Sequence, residues 1–63
     1  MNKYEISFHD PSDNPITIEA NRYAFNCKSG SYVFRKNIEG ARISTKVFEI
    51  AQITIKSIKL LDS

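Results

Sequence analysis

The sequence is poor in the residues that fasten very small proteins. It has one cysteine, Cys27, in 63 residues, so no intrachain disulfide can form and a disulfide-stapled secreted scaffold is excluded. One Cys and one His (His9) cannot supply the four ligands of a tetrahedral zinc site, and no metal or cofactor is expected. There is no tryptophan, and only two glycines and two prolines. Gly30 and Gly40 stand too far apart to make a phosphate-cradling loop. No apolar run reaches the length of a signal-peptide core or the ~18 residues of a membrane span. These absences lead to the expectation of a soluble chain in a reducing compartment, the cytoplasm.

What is there reads as a folded domain. With 41% hydrophobic and 25% charged residues, the chain differs from disordered and low-complexity sequences, and one small β domain over residues 1–63 is expected. A chain of about 60 residues buries only about 60% of its unfolded surface. A second subunit is therefore a natural fastening, and a homodimer is among the expectations. The net charge of +2 is too small to mark a nucleic-acid binder by itself. Its distribution is more telling. Residues 1–21 set Lys3 against Glu5, Asp10, Asp13 and Glu19, whereas eight of the nine basic residues follow from Arg22 onward. Such asymmetry between halves can mark a charged binding face.

Strand patterns dominate the chain. Tyr4, Ile6 and Phe8 alternate with Glu5 and Ser7, and after the turn formers Asp10–Pro15 the pattern resumes with Ile16, Ile18 and Ala20. A hairpin follows from the two segments. Tyr23, Phe25 and Cys27 then share one side of a third strand, which places Cys27 among buried apolar residues. Gly30 supplies the positive φ of a hairpin loop, and Tyr32 and Phe34 share a face of the fourth strand. Asn37–Gly40 is the next turn. Between Ala41 and Ser63 the abundance of Ile, Val and Thr favours two strands, about Ala41–Glu49 and Gln52–Leu61. A short helix or helical turn near 45–51 is the competing assignment. The apolar side changes near Lys56–Ser57, as a β-bulge requires.

Five to six short strands predict an all-β, mostly-β fold: a small antiparallel barrel or a strongly curved sheet. Its expected core is Tyr4, Ile6, Phe8, Ile16, Ile18, Tyr23, Phe25, Tyr32, Phe34, Ile43, Ile53 and Ile55.

No residue spacing makes a catalytic group. His9 closes a strand beside a polar loop, and Asp10, Ser12, Asp13 and Asn14 are what a tight turn demands. No catalytic residue and no enzymatic activity are expected. The leading expectation is a small binding protein acting through a protein–protein interface. The exposed basic residues Lys28, Arg35, Lys36 and Arg42 would meet an acidic partner surface. Nine Ile, five Asn and six Lys in a small domain beginning at Met1 suit a compact inhibitor or adaptor encoded by a phage or mobile element. The alternative is a single-stranded nucleic-acid-binding β-barrel using the 22–36 hairpin. Arg22, Asn26, Lys28, Tyr32 and Arg35 would then combine a basic groove with a stacking ring.

Overall fold

The computed structural model describes residues 2–40 and 42–61. The alternating segments become six strands: β1 (Asn2–Phe8), β2 (Ile16–Ala20), β3 (Arg22–Asn26), β4 (Ser31–Asn37), β5 (Ser44–Ala51) and β6 (Ile55–Leu61). A single 3₁₀ turn, Gln52–Thr54, lies between the last two. The strands make two three-stranded antiparallel sheets, ordered β2-β1-β6 and β3-β4-β5. β1 and β4 are the central strands. Each outer strand of one sheet runs into an outer strand of the other, β2 into β3 through Asn21 and β5 into β6 through the 3₁₀ turn. The chain is thus mostly β, as expected, but no closed barrel forms among the described residues. The ladders end at the two joints, and the molecule is flat, 40 × 30 × 13 Å.

Local chemistry explains the turns. In the β1–β2 loop the Asp10 carboxylate accepts hydrogen bonds from the Ser12 backbone N–H (2.9 Å) and hydroxyl (2.8 Å), and these hold its pKa below the ordinary carboxylate value. Between β3 and β4, Asn26 Oδ1 accepts from the Lys28 N–H and Gly30 N–H closes the loop onto the Asn26 carbonyl at 2.8 Å. Gly30 sits at φ 68°, the left-handed conformation that this loop requires.

Register sets the faces. Across the first sheet, Tyr4 lies opposite Ile18 and Leu60, and Ile6 opposite Ile16 and Ile58. An extra residue, Lys56, interrupts the pairing between Ser7–Ser57 and Phe8–Ile55. This is the bulge that the change of apolar side predicted, and it returns Ile55 to the same face as Ile58. Across the second sheet, Tyr23–Phe34–Phe48 and Phe25–Tyr32–Ile50 form apolar rows. The sheets meet where Tyr4 sets its ring edge-on to Tyr23 (5.2 Å) and Phe34 (5.6 Å). Phe34 and Ile6 are fully buried, joined by Tyr4, Ala20 and Ile55.

The joint at Asn21 is fastened by three hydrogen bonds. Its N–H donates to the Arg35 carbonyl (2.9 Å), its side-chain oxygen accepts from the Asn37 N–H (2.7 Å), and its carbonyl accepts from Asn2 Nδ2 (3.3 Å).

Several sequence expectations need correction. Residues 45–51 are strand, because β-branched Thr45 and Ile50 and apolar Phe48 pair along the ladder with β4; the helical turn falls at Gln52–Thr54, where the chain leaves one sheet for the other. There the Thr54 hydroxyl donates to the Ala51 carbonyl at 2.7 Å. The fifth strand begins at Ser44, after a turn in which Ile38 N–H bonds to the Ile43 carbonyl; the expected start at Ala41 lies outside the described residues. Four expected core residues are exposed: Tyr23 39%, Phe25 46%, Ile43 64% and Ile53 84%. Ile53 projects from the 3₁₀ turn and Ile43 from the loop before β5, while Tyr23 and Phe25 face inward from an outer strand that the other sheet touches at Tyr23 through Tyr4. Cys27 is exposed because β3 ends at Asn26 and the thiol falls in the turn.

Phe34→Ala is expected to cost about 3–5 kcal/mol. A chain of this length has only about 3–9 kcal/mol of total stability, so the variant should be largely unfolded in urea denaturation followed by circular dichroism. Ile53→Ser should stay within about 0.5 kcal/mol of the parent; a loss as large as that of Phe34→Ala would return Ile53 to the core.

Candidate functional site

The face of the second sheet that points away from the aromatic rows is basic. Pairing sets Arg22 directly opposite Arg35, and Arg35 directly opposite Lys46, so three cations line up across β3, β4 and β5. Like charges in direct cross-strand register are destabilising, and the row is only partly neutralised. Lys46 Nζ is 2.9 Å from Glu49 Oε1, whereas no ion pair to Arg22 or Arg35 is formed among the described residues. Arg22 Nη2 instead donates to the Ser44 hydroxyl at 3.2 Å. Arg42 joins Arg22 around a shallow hollow of about 280 Å³ bordered by Asn37 and Ser44. A second hollow of about 450 Å³ on the β3–β4 hairpin is lined by Ala24, Phe25, Asn26, Cys27, Lys28, Val33 and Arg35. Together these make a basic surface with a small apolar middle.

Of the basic residues singled out in the sequence, the fold brings Arg35 and Lys28 to one hollow and Arg42 to the adjoining one. Lys36 is not grouped with them: it follows Arg35 along β4, pairs with Thr45, and by strand alternation belongs to the opposite face. Of the nucleic-acid set, Arg22, Asn26 and Arg35 share the basic face, while Tyr32 lies on the aromatic one, in the row with Phe25 and Ile50. By register Tyr23, Tyr32 and Phe34 therefore lie on the side opposite the cations, while Phe25 also borders the hollow that holds Lys28 and Arg35. Lys46 was not singled out in the sequence. The bulge at Val47, which aligns Lys46 with Arg35, leaves no trace in the alternation.

Behind the loop that carries Lys28, a polar cluster ties the hairpin to β5. The buried Ser31 hydroxyl donates to Glu49 Oε2 at 2.6 Å and lies 2.7 Å from the Ser29 hydroxyl. The Ser31 hydrogen bond first, then Lys46, hold the Glu49 carboxyl below its ordinary pKa.

Comparisons with protein-family models, with curated protein sequences and with solved structures find no match.

On the other side of the second sheet, the two inner faces leave a cleft of about 520 Å³. Tyr23 and Tyr32 form one wall, Ile55 and Ile58 the other, and His9 and Lys56 also border it. Its walls are the half-buried margin of the core itself. No helix among the described residues is long and apolar enough to cross a membrane.

The depressed pKa of Glu49 carries a pH dependence. The folded chain binds that proton less readily than the unfolded chain, so the effect stabilises the fold at neutral pH and is lost as pH falls through the depressed value. Ser31→Ala should raise the Glu49 pKa toward that of an ordinary glutamate, read from carboxyl chemical shifts in an NMR titration. An unchanged titration would remove Ser31 as the cause.

Proposed function

We propose that this chain is a non-enzymatic binding module that acts through a protein–protein interface, presenting the basic face of its second sheet to an acidic partner. The observation that carries this reading is the row Arg22–Arg35–Lys46, extended by Arg42 and Lys28. A fold with a marginal core holds three cations in register with a single neighbouring carboxylate, an arrangement that an acidic surface would relieve. Ala24 and Val33 in the middle of that face offer small apolar contact inside a charged rim, the anatomy of a protein interface. The continuity of the outer strands through Asn21 and the 3₁₀ turn supports reading the two sheets as one strongly curved sheet. The exposed free thiol of Cys27 suits a reducing compartment, the cytoplasm. An inhibitor or adaptor encoded by a phage or mobile element fits a domain with this little interior.

Single-strand binding is the weaker reading, because stacking needs rings beside the basic groove, and Phe25 alone of the hairpin's rings borders the basic hollow while the register turns Tyr23, Tyr32 and Phe34 to the opposite face. Fluorescence anisotropy with a labelled polyglutamate peptide and with single-stranded DNA and RNA of matched charge, at two salt concentrations, separates the two. The expected outcome is peptide binding that weakens with salt and falls several-fold in the Arg22→Ala/Arg35→Ala variant, with nucleic acid bound no more tightly than the peptide. Nucleic acid bound about tenfold more tightly, with the excess lost in Tyr32→Ala or Phe25→Ala, would reverse the order.

A further inference from the structure

Each three-stranded sheet has two outer strands, so the fold offers four candidate edges, and three of them carry features that discourage further pairing. β2 follows directly on Pro15. β5 is interrupted by the extra residue Val47 beside Lys46. β6 is interrupted by Lys56 and carries Lys59. β3 has none of these. Its five residues, Arg22-Tyr23-Ala24-Phe25-Asn26, are all exposed, contain no proline or lysine, and pair without a bulge to β4 on one side only.

The sequence of β3 also fits itself. In an antiparallel pair of two β3 strands centred on Ala24, each Tyr23 faces the other copy's Phe25, each Arg22 faces Asn26, and Ala24 faces Ala24. Ring meets ring on the inner face, where Tyr23 (39% exposed) and Phe25 (46% exposed) are the uncovered end of the aromatic cluster. On the outer face each cation meets a neutral amide, and the two Arg22 residues stand about 14 Å apart along the strands, beyond the ~8 Å screening length of physiological salt. Such an isologous contact closes on itself, as a two-fold interface must.

We propose that β3 is a dimerisation edge, occupied by β3 of a second copy of this chain, so that the two second sheets join into one six-stranded sheet centred on Ala24. The basic rows of both copies then lie on one side of that sheet and the aromatic rows on the other. This proposal rests on the free backbone edge of β3 rather than on the charge of the basic face, although the two share Arg22 and Ala24.

The test uses the intact chain and two substitutions at the exposed centre, Ala24→Lys and Ala24→Glu, each checked for folding by circular dichroism. Sedimentation equilibrium and native mass spectrometry should show a dimer for the parent. Each variant alone should dissociate about tenfold more readily, since like charges meet at the two-fold axis, and an equimolar mixture should form mainly the Lys/Glu heterodimer. A parent that is monomeric up to millimolar concentration overturns the proposal. So does a dimer that tolerates either substitution alone or shows no preference for the mixed pair, because its contact then lies elsewhere. Salt-dependent peptide binding is read on the parent and on Arg22→Ala/Arg35→Ala rather than on the Ala24 variants, whose substitutions lie on the basic face, so failure of the dimer and failure of the basic face give different results.

Discussion

The contact on which this fold turns is the Tyr4 ring, set edge-on between Tyr23 and Phe34. Those are the two ring contacts between the sheets among the described residues; the other close pairs lie within the second sheet. Edge-to-face geometry at these separations adds to the area term that burial already supplies. The position of Tyr4 is itself over-determined. It lies in the central strand with Ile18 and Leu60 on its flanks, and its hydroxyl accepts from Asn2 Nδ2, which also reaches the Asn21 carbonyl. The ring that joins the sheets and the residue that turns the chain between them are thus held by the same amide.

Much of this was legible before the structure. Ile16, Ile18 and Ala20 share one parity, Tyr23 and Phe25 the other, and that slip of phase falls at Asn21, where the chain changes sheet. The bulge at Lys56 was legible for the same reason, a change of apolar side within one run. Legibility failed where facing depends on the second sheet. Alternation shows that Tyr23 and Phe25 share a face with the core rows, but not that β3 extends beyond what the first sheet covers. Ile53 was misassigned because an isoleucine between two strands reads as strand, whereas the 3₁₀ turn has no period-2 facing. The basic row was half legible: Arg22 and Arg35 follow from hairpin register, while Lys46 needs the Val47 bulge to reach them.

The second sheet carries opposed demands on its two faces. The inner face supplies Phe34, the largest fully buried side chain, and the rings that meet Tyr4. The outer face holds aligned cations whose mutual repulsion works against the same ladder. Glu49 moderates the conflict. It takes a hydrogen bond from buried Ser31 and an ion pair from Lys46, so one carboxylate both anchors the β3–β4 loop to β5 and neutralises one end of the row. The exposed ion pair is worth little as stability; its value lies in register, because it sits beside the bulge that aligns Lys46 with Arg35.

The poverty of the chain in fastening residues puts the whole burden of cohesion on its apolar side chains. Without a disulfide or a zinc site, seven aromatics and nine isoleucines must hold two sheets together, and even so only five apolar side chains are buried among the described residues. The cleft walled by Tyr23, Tyr32, Ile55 and Ile58 is the unfilled margin of that core, and the polar side chains of His9 and Lys56 border it without entering the packing. Replacing one of those rings or isoleucines with an unpartnered polar group would cost more than so small a core can offset. Arg22, Arg35 and Arg42 lie at exposed positions that the core does not use, so the outer face carries charge without drawing on the contacts that hold the sheets together.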